Sequence, residues 1–171
     1  MNYVSYQPAF DVYHTEFRFL RISKFSEMAE ISVEKLRIID FYLLFFSRLA
    51  DVRLAPAHRK IKVLAKQFAR DTYEIQPDDR LLFARMGAIH VAAFQVLAAS
   101  RVIDKDRLGL GFVSLTGEGV PASVDERIAK INAEDEERMK SLDVLMTQYE
   151  INGKNGLKDR TSLMEYKYDA I

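Results

Sequence analysis

Apolar residues recur at three- and four-residue steps along most of the chain, and that spacing predicts helices. After a short extended lead over 1–9, Phe10, Tyr13, Phe17 and Leu20 form one stripe. Arg18, Arg21 and Lys24 place charge on much of the remaining surface, and this helix is expected to end around Phe25–Ala29. Ser32 is a good N-cap for a second helix, with Glu34 in its first turn. From Ile38 to Phe46 only Asp40 is charged. A helix apolar on all sides is covered on all sides. Its β-branched and aromatic residues would also suit a buried strand, but the pattern is too long for an ordinary one. Asp40 is then expected to pair with an arginine or to face a gap, since an unpaired buried carboxylate is costly.

Pro56 opens a third helix, with Ile61, Leu64, Ala65 and Phe68 on its apolar face. Arg59, Lys62, Lys66 and Arg70 fall on the opposite face. The segment QPDD at 76–79 ends this helix and caps the next. In 80–104, Gly87 is expected to mark a bend or short turn between two helices. Ile89, Ala93, Val96 and Leu97 carry the second piece. After the polar turn DKDR, residues 112–115 read as a strand. Ser123 and Glu126 form a capping box for a last helix. Val124, Ile128 and Ile131 begin its seam, and Met139, Leu142, Leu145 and Tyr149 resume it. Asp135 interrupts that seam. A single helix over 123–149 would be about 40 Å long, so part of it is expected to project or to be broken. The segment INGKNGLKDRTS reads as a flexible linker, and LMEYKYDAI as a tail able to dock.

The stretch LGLGFVSLTGEGVP at 108–121 holds four of the seven glycines, Gly109, Gly111, Gly117 and Gly119. A phosphate-binding loop needs a strand before it and a helix after it, so that helical N–H groups face the anion. Here a helix precedes Gly109 and Gly111 and a strand follows, and no G-K-[ST] ending is present. The glycines are expected to release the chain from helix to strand and to permit positive φ. Helix, polar turn, strand with a hairpin-like return and helix is the tail end of a winged-helix unit.

Composition narrows the chemistry. The 171 residues carry 25 basic and 25 acidic side chains, so there is no global attraction to nucleic acid or membrane. Cysteine is absent, which excludes disulfides, thiolate nucleophiles and cysteine metal sites. The start lacks the pattern of a secretory signal. The longest apolar run, FYLLFF, is far short of a membrane span. His14, His58 and His90 have no histidine at i+3 or i+4, and neither H-E-x-x-H nor G-x-S-x-G occurs. No catalytic, cofactor, metal or small-molecule site is expected. Arg59, Lys62, Lys66 and Arg70 are the candidates for weak, non-specific DNA contact, or else form a solvated helix face. Met139, Leu142, Leu145 and Tyr149 are the candidates for a protein interface, because a small domain gains little from so long a helix unless a partner covers it.

The phrases YQPAFDVYHTEFRFLRI and EISVEKLRIIDFYLLFF, with RLLFARMGAIHVAAFQVLAASRVID and GFVSLTGEGVP later, carry a resemblance over roughly residues 3–140. The chain resembles the middle components of ABC-three-component systems, the Lamassu-type anti-phage and anti-plasmid defence operons. That family often has Pro where this chain has Phe46. The lack of cysteine fits a reducing cytoplasm, and the resemblance implies a non-enzymatic interaction subunit that couples an SMC- or Rad50-like ATPase to an effector, commonly a nuclease. It supplies no catalytic residues to carry over.

The expected fold is therefore mostly α. It comprises a winged-helix-like helical domain with a small β-wing over 1–120, a long C-terminal helix or arm over 121–150, and a linker and tail over 151–171. The alternative is a stand-alone winged-helix DNA-binding regulator. Against it, GAIHVAAFQVLAASR carries almost no basic charge, which suits protein contact better than the major groove.

Overall fold

A computed structural model describes residues 7–69 and 77–165. The fold is mostly helical with one small antiparallel sheet. A 3-10 turn at Pro8–Phe10 leads into α1 (Val12–Ser26), whose N-cap Asp11 accepts from the His14 amide. The short strand β1 (Ile31–Ser32) runs straight into α2 (Val33–Leu44), where Ser32 caps by accepting from the Lys35 amide. A second 3-10 turn, Phe46–Asp51, follows α2. The helix thus stops at Leu44 with no proline to stop it. Pro56–His58 then winds into α3 (Arg59–Gln67). Asp78 caps α4 (Asp79–Ala99). After α5 (Lys105–Gly109) and β2 (Phe112–Val113) come α6 (Ala122–Glu134), α7 (Glu136–Gln148) and α8 (Leu157–Thr161).

The centre of the molecule is α2. Leu36, Ile38, Ile39, Phe41, Tyr42 and Leu43 are all buried, as an all-round apolar helix requires. Around it, α1 packs on α2, α4, α6 and α7, and α7 packs on α2. The sheet pairs Ile31 with Val113 and Ser32 with Phe112. It joins chain segments about eighty residues apart, not the two arms of one hairpin. A hairpin-like return does exist beside it, as the isolated bridge between Ile103 and Leu115.

Four local expectations change. On α1 the apolar stripe faces inward only at its far end, where Leu20 is buried and Phe17 half-buried. Phe10 and Tyr13 are exposed, while Thr15, Arg18, Phe19, Arg21 and Ile22 are buried. Gly87 makes no bend, and α4 runs unbroken through it. The Arg37 side chain crosses there, and a Cβ on Gly87 would stand 3.4 Å from its Nη2. Ser123 does not cap, because Pro121 sits at the N-cap and α6 is already helical at Ala122. The segment 151–162 is not a free linker. It folds back through α8, with Leu157 and Lys158 buried and Lys158 Nζ 2.9 Å from Glu34. Leu163, in the expected docking tail, is buried too, and residues 166–171 of that tail lie outside the described residues.

The glycine stretch turns the chain. Gly111, Gly117 and Gly119 have φ of 86°, 81° and 77°, whereas Gly109 ends α5 without positive φ. The Gly111 carbonyl accepts from the Val33 amide at 2.9 Å, at the start of α2. The expected long helix is broken at Asp135, between α6 and α7.

Candidate functional site

Two arginines of α1 organise the polar interior. Arg18 donates to Asp40 through Nε at 2.6 Å and Nη2 at 3.0 Å, to Thr15 Oγ1 at 2.9 Å and to the Pro8 carbonyl at 3.0 Å. His90 on α4 reaches the same carboxylate, with Nε2 3.0 Å from Asp40 Oδ2. Arg37 Nε donates to His90 Nδ1 at 3.2 Å. Since Nδ1 accepts, the ring proton sits on Nε2 and is donated to Asp40. Burial pushes the Asp40 carboxyl up, but the His90 hydrogen bond and the adjacent Arg18 charge outweigh it and hold it below the usual carboxylate range. Burial also lowers the Arg37 pKa, against the nearby Glu34 charge.

An aspartate bonded to a histidine is the raw material of acid–base catalysis. Here both ring nitrogens and both carboxylate oxygens are already engaged, and neither Asp40 nor His90 has exposed surface. This cluster locks α1, α2 and α4 together. The sequence pointed to an arginine partner for Asp40, and Arg18 is that partner. It gave no signal for His90, which lies fifty residues further along the chain.

The second arginine, Arg21, donates through Nε to Asn132 Oδ1 and through Nη2 to Asp135 Oδ2, each at 2.9 Å. Asn132 Nδ2 donates back to the Arg21 carbonyl at 3.0 Å. Arg138 clasps the same Asp135 carboxylate from α7 and lies over the Phe68 ring. The break in the seam therefore has a cause. Asp135 is turned inward to meet a buried cation, and the helix gives way around it.

Met139, Leu142, Leu145 and Tyr149 are 1%, 1%, 0% and 6% exposed. They fill the chain's own core and present no free surface to a partner. Tyr149 is also fixed by its hydroxyl, which accepts from the Ala55 amide at 2.9 Å and lies 2.7 Å from His58 Nδ1. The seam was legible as apolar. What covers it is α1 and α2, which sequence spacing alone does not say.

On α3, Ile61 and Ala65 are buried and Leu64 is half-buried, as expected. Phe68 is partly exposed, edge-on to Phe46. Arg59, Lys60 and Lys66 are exposed and Lys62 is half-buried. None of these four forms an ion pair among the described residues. Arg70 lies outside the described residues. The three described members of the basic stripe thus share one open face, joined by Lys60.

A hollow of about 630 Å³ lies where the end of α1 meets α6, lined by Lys24, Glu27, Asp125 and Asn132 among others. Lys24 and Asp125 pair across it at 2.5 Å. Its lining holds one cation, Lys24, against the three carboxylates Glu27, Asp125 and Glu136, and Glu136 pairs outward with Lys140. Among the described residues no three histidine, aspartate or glutamate side chains converge as metal ligands.

The helix whose low basic charge suits protein contact, α4, has one bare side. The outer face of α4 exposes Leu81, Val91 and Val96 at 49%, 53% and 40%, together with Ala84, Ala88 and Ala99. By length and composition α4 could cross a membrane, with a mean hydropathy of 1.6 over its best 18 residues, 39% of which are buried. Its inner face carries His90 in the charge cluster.

No curated protein and no solved structure matches the chain. Residues 4–169 do match one family, described as ABC-three component (ABC-3C) system Middle Component 5. That match spans nearly the whole sequence, including the α1, α2 and α7 residues that build the buried clusters, and the chain belongs to this Middle Component 5 family of ABC-3C defence systems.

Proposed function

We propose that this chain is a non-catalytic, cytoplasmic interaction subunit of a Lamassu-type system, coupling an SMC- or Rad50-like ATPase to an effector nuclease. A middle component of a multi-subunit system has protein partners. One observation carries the non-catalytic part of the reading. The carboxylate–histidine pair that comes together among the described residues, Asp40 and His90, is sealed and fully bonded. What the molecule offers to the outside is surface: a basic face on α3 that forms no ion pair among the described residues, and an apolar face on α4.

The test is reconstitution. The ATPase and effector encoded beside this chain are purified with and without it, and ATP hydrolysis and nucleic-acid cleavage are measured separately. Coupling predicts that each partner keeps its own basal chemistry alone, and that cleavage becomes ATP-dependent only when the chain is present. ATP-dependent cleavage without it, or hydrolytic activity in the chain itself, sinks the proposal.

A second role is favoured by α3. Its four cations, without an ion pair among the described residues, suit weak, sequence-independent contact with a phosphate backbone. In the coupling reading that contact holds nucleic acid near the effector.

A further inference from the structure

The outer face of α4 is the least explained surface of the molecule. Leu81, Ala88, Ala92 and Ala99 run down the middle of this face, at helical spacing. Within the span of α4, Arg85 is the only charged residue near that line. Exposed apolar area in one continuous strip marks an interaction site more strongly than scattered exposed residues do.

We propose that this face pairs with the same face of a second copy, with the two α4 helices antiparallel about a two-fold axis near His90. The register follows from the side chains. Leu81 then lies opposite the partner's Ala99, and Ala88 opposite the partner's Ala92, so the largest side chain on the line meets one of the smallest. Alanines at the crossing let the axes approach to about 8 Å, the close end of helix packing. The charges agree with this register and disagree with a parallel one. Exposed Asp78 caps the start of α4, and exposed Arg101 follows its end with no ion pair among the described residues. An antiparallel pair sets Asp78 of each copy at the level of Arg101 of the other along the helix axis, whereas a parallel pair sets like charges at one level. The helix dipoles also oppose favourably. The two copies of Arg85 stand about 15 Å apart along the axis, beyond the Debye length of about 8 Å at physiological salt. A single helix face is small beside the roughly 800 Å² per partner of standard interfaces, so the dimer is weak and reversible.

Sedimentation equilibrium of the full chain over a concentration series tests this. The chain should pass from monomer to dimer as concentration rises. Ala88→Glu puts two carboxylates at the crossing and should weaken the dimer roughly tenfold or more, with circular dichroism unchanged because Ala88 is exposed. Arg101→Asp should weaken it less, and mainly at low salt. A monomer at every concentration overturns the proposal, as does a dimer that Ala88→Glu leaves intact. If the chain alone is monomeric and Ala88→Glu instead blocks co-purification with the ATPase or effector, the face serves a different subunit. If the monomer floats with neutral lipid vesicles and Ala88→Glu releases it, the face serves a membrane. Either result also overturns the dimer.

Discussion

Arg18 holds both carboxylate oxygens of Asp40, at 2.6 and 3.0 Å, where Asp40 has no exposed surface. Removing one partner of a buried pair strands the other charge. Asp40→Asn should therefore destabilise the chain by about 3–5 kcal/mol, measured as a shift in the urea midpoint.

The same pair sets a pH dependence. The folded-state pKa of Asp40 is lowered, so the folded state holds the carboxylate ionised to lower pH than the unfolded chain, where it titrates near 3.9. Its contribution is complete above that value and is lost as pH falls through the folded one. Urea midpoints taken from neutral pH down to strong acid should show wild type losing ground on Asp40→Asn only at the acid end. A constant gap between the two proteins across that range would show that Asp40 is not the titrating group.

Leu142 and Leu145 are core residues, so each change to alanine should cost about 2–5 kcal/mol. Leu142→Asp with Leu145→Asp should unfold the chain outright. A folded double aspartate variant, judged by circular dichroism and thermal melting, would mean that α7 does not pack as described.

Gly119 and Gly117 separate two kinds of glycine requirement. Both have positive φ, which costs an ordinary residue about 1–2 kcal/mol. A Cβ on Gly117 meets open space, but on Gly119 it would stand 2.6 Å from the Ser100 carbonyl oxygen and 3.0 Å from Val102 Cγ2. Gly119→Ala should thus lower the melting temperature clearly more than Gly117→Ala. Equal effects would reduce both to backbone conformation alone.

For α3, changing Lys62 and Lys66 together to Glu should abolish any DNA binding by the assembled complex and leave the fold intact. Binding is read by fluorescence anisotropy across a salt series, and the parent should lose affinity steeply as salt rises. Full binding by the variant would return α3 to a solvated surface.

The sequence showed what is local. The apolar run of α2, the Ser32 cap, the Pro56 start and the described part of the basic stripe, Arg59, Lys62 and Lys66, are each written within a few neighbouring residues, and these appear in the structure. It was silent where burial depends on distant partners. Arg18 and Arg21 read as surface charge because cations usually are. Their inward turn depends on Asp40, 22 residues away, and Asp135, 114 residues away. Gly87 read as a break because a glycine's use inside a helix depends on what crosses it, here Arg37 from α2. The low charge of GAIHVAAFQVLAASR pointed to protein contact, but periodicity alone could not tell the covered side of α4 from its bare one.

The long reach of Arg21 has a consequence for synthesis on the ribosome. α1 emerges early, but Asn132, Asp135 and Met139, the groups that receive its guanidinium, are encoded about 110 residues later. At bacterial elongation speeds of roughly 5–20 residues per second, that is a wait of about 5–20 s. Throughout it α1 and α2 lack the α7 leucines that cover them. A ribosome-stalled chain released only to residue 120 is therefore expected to be cut rapidly by protease within α1 and α2, and one released to residue 165 to resist. Equal resistance in both would show that the N-terminal helices close without the C-terminal pair.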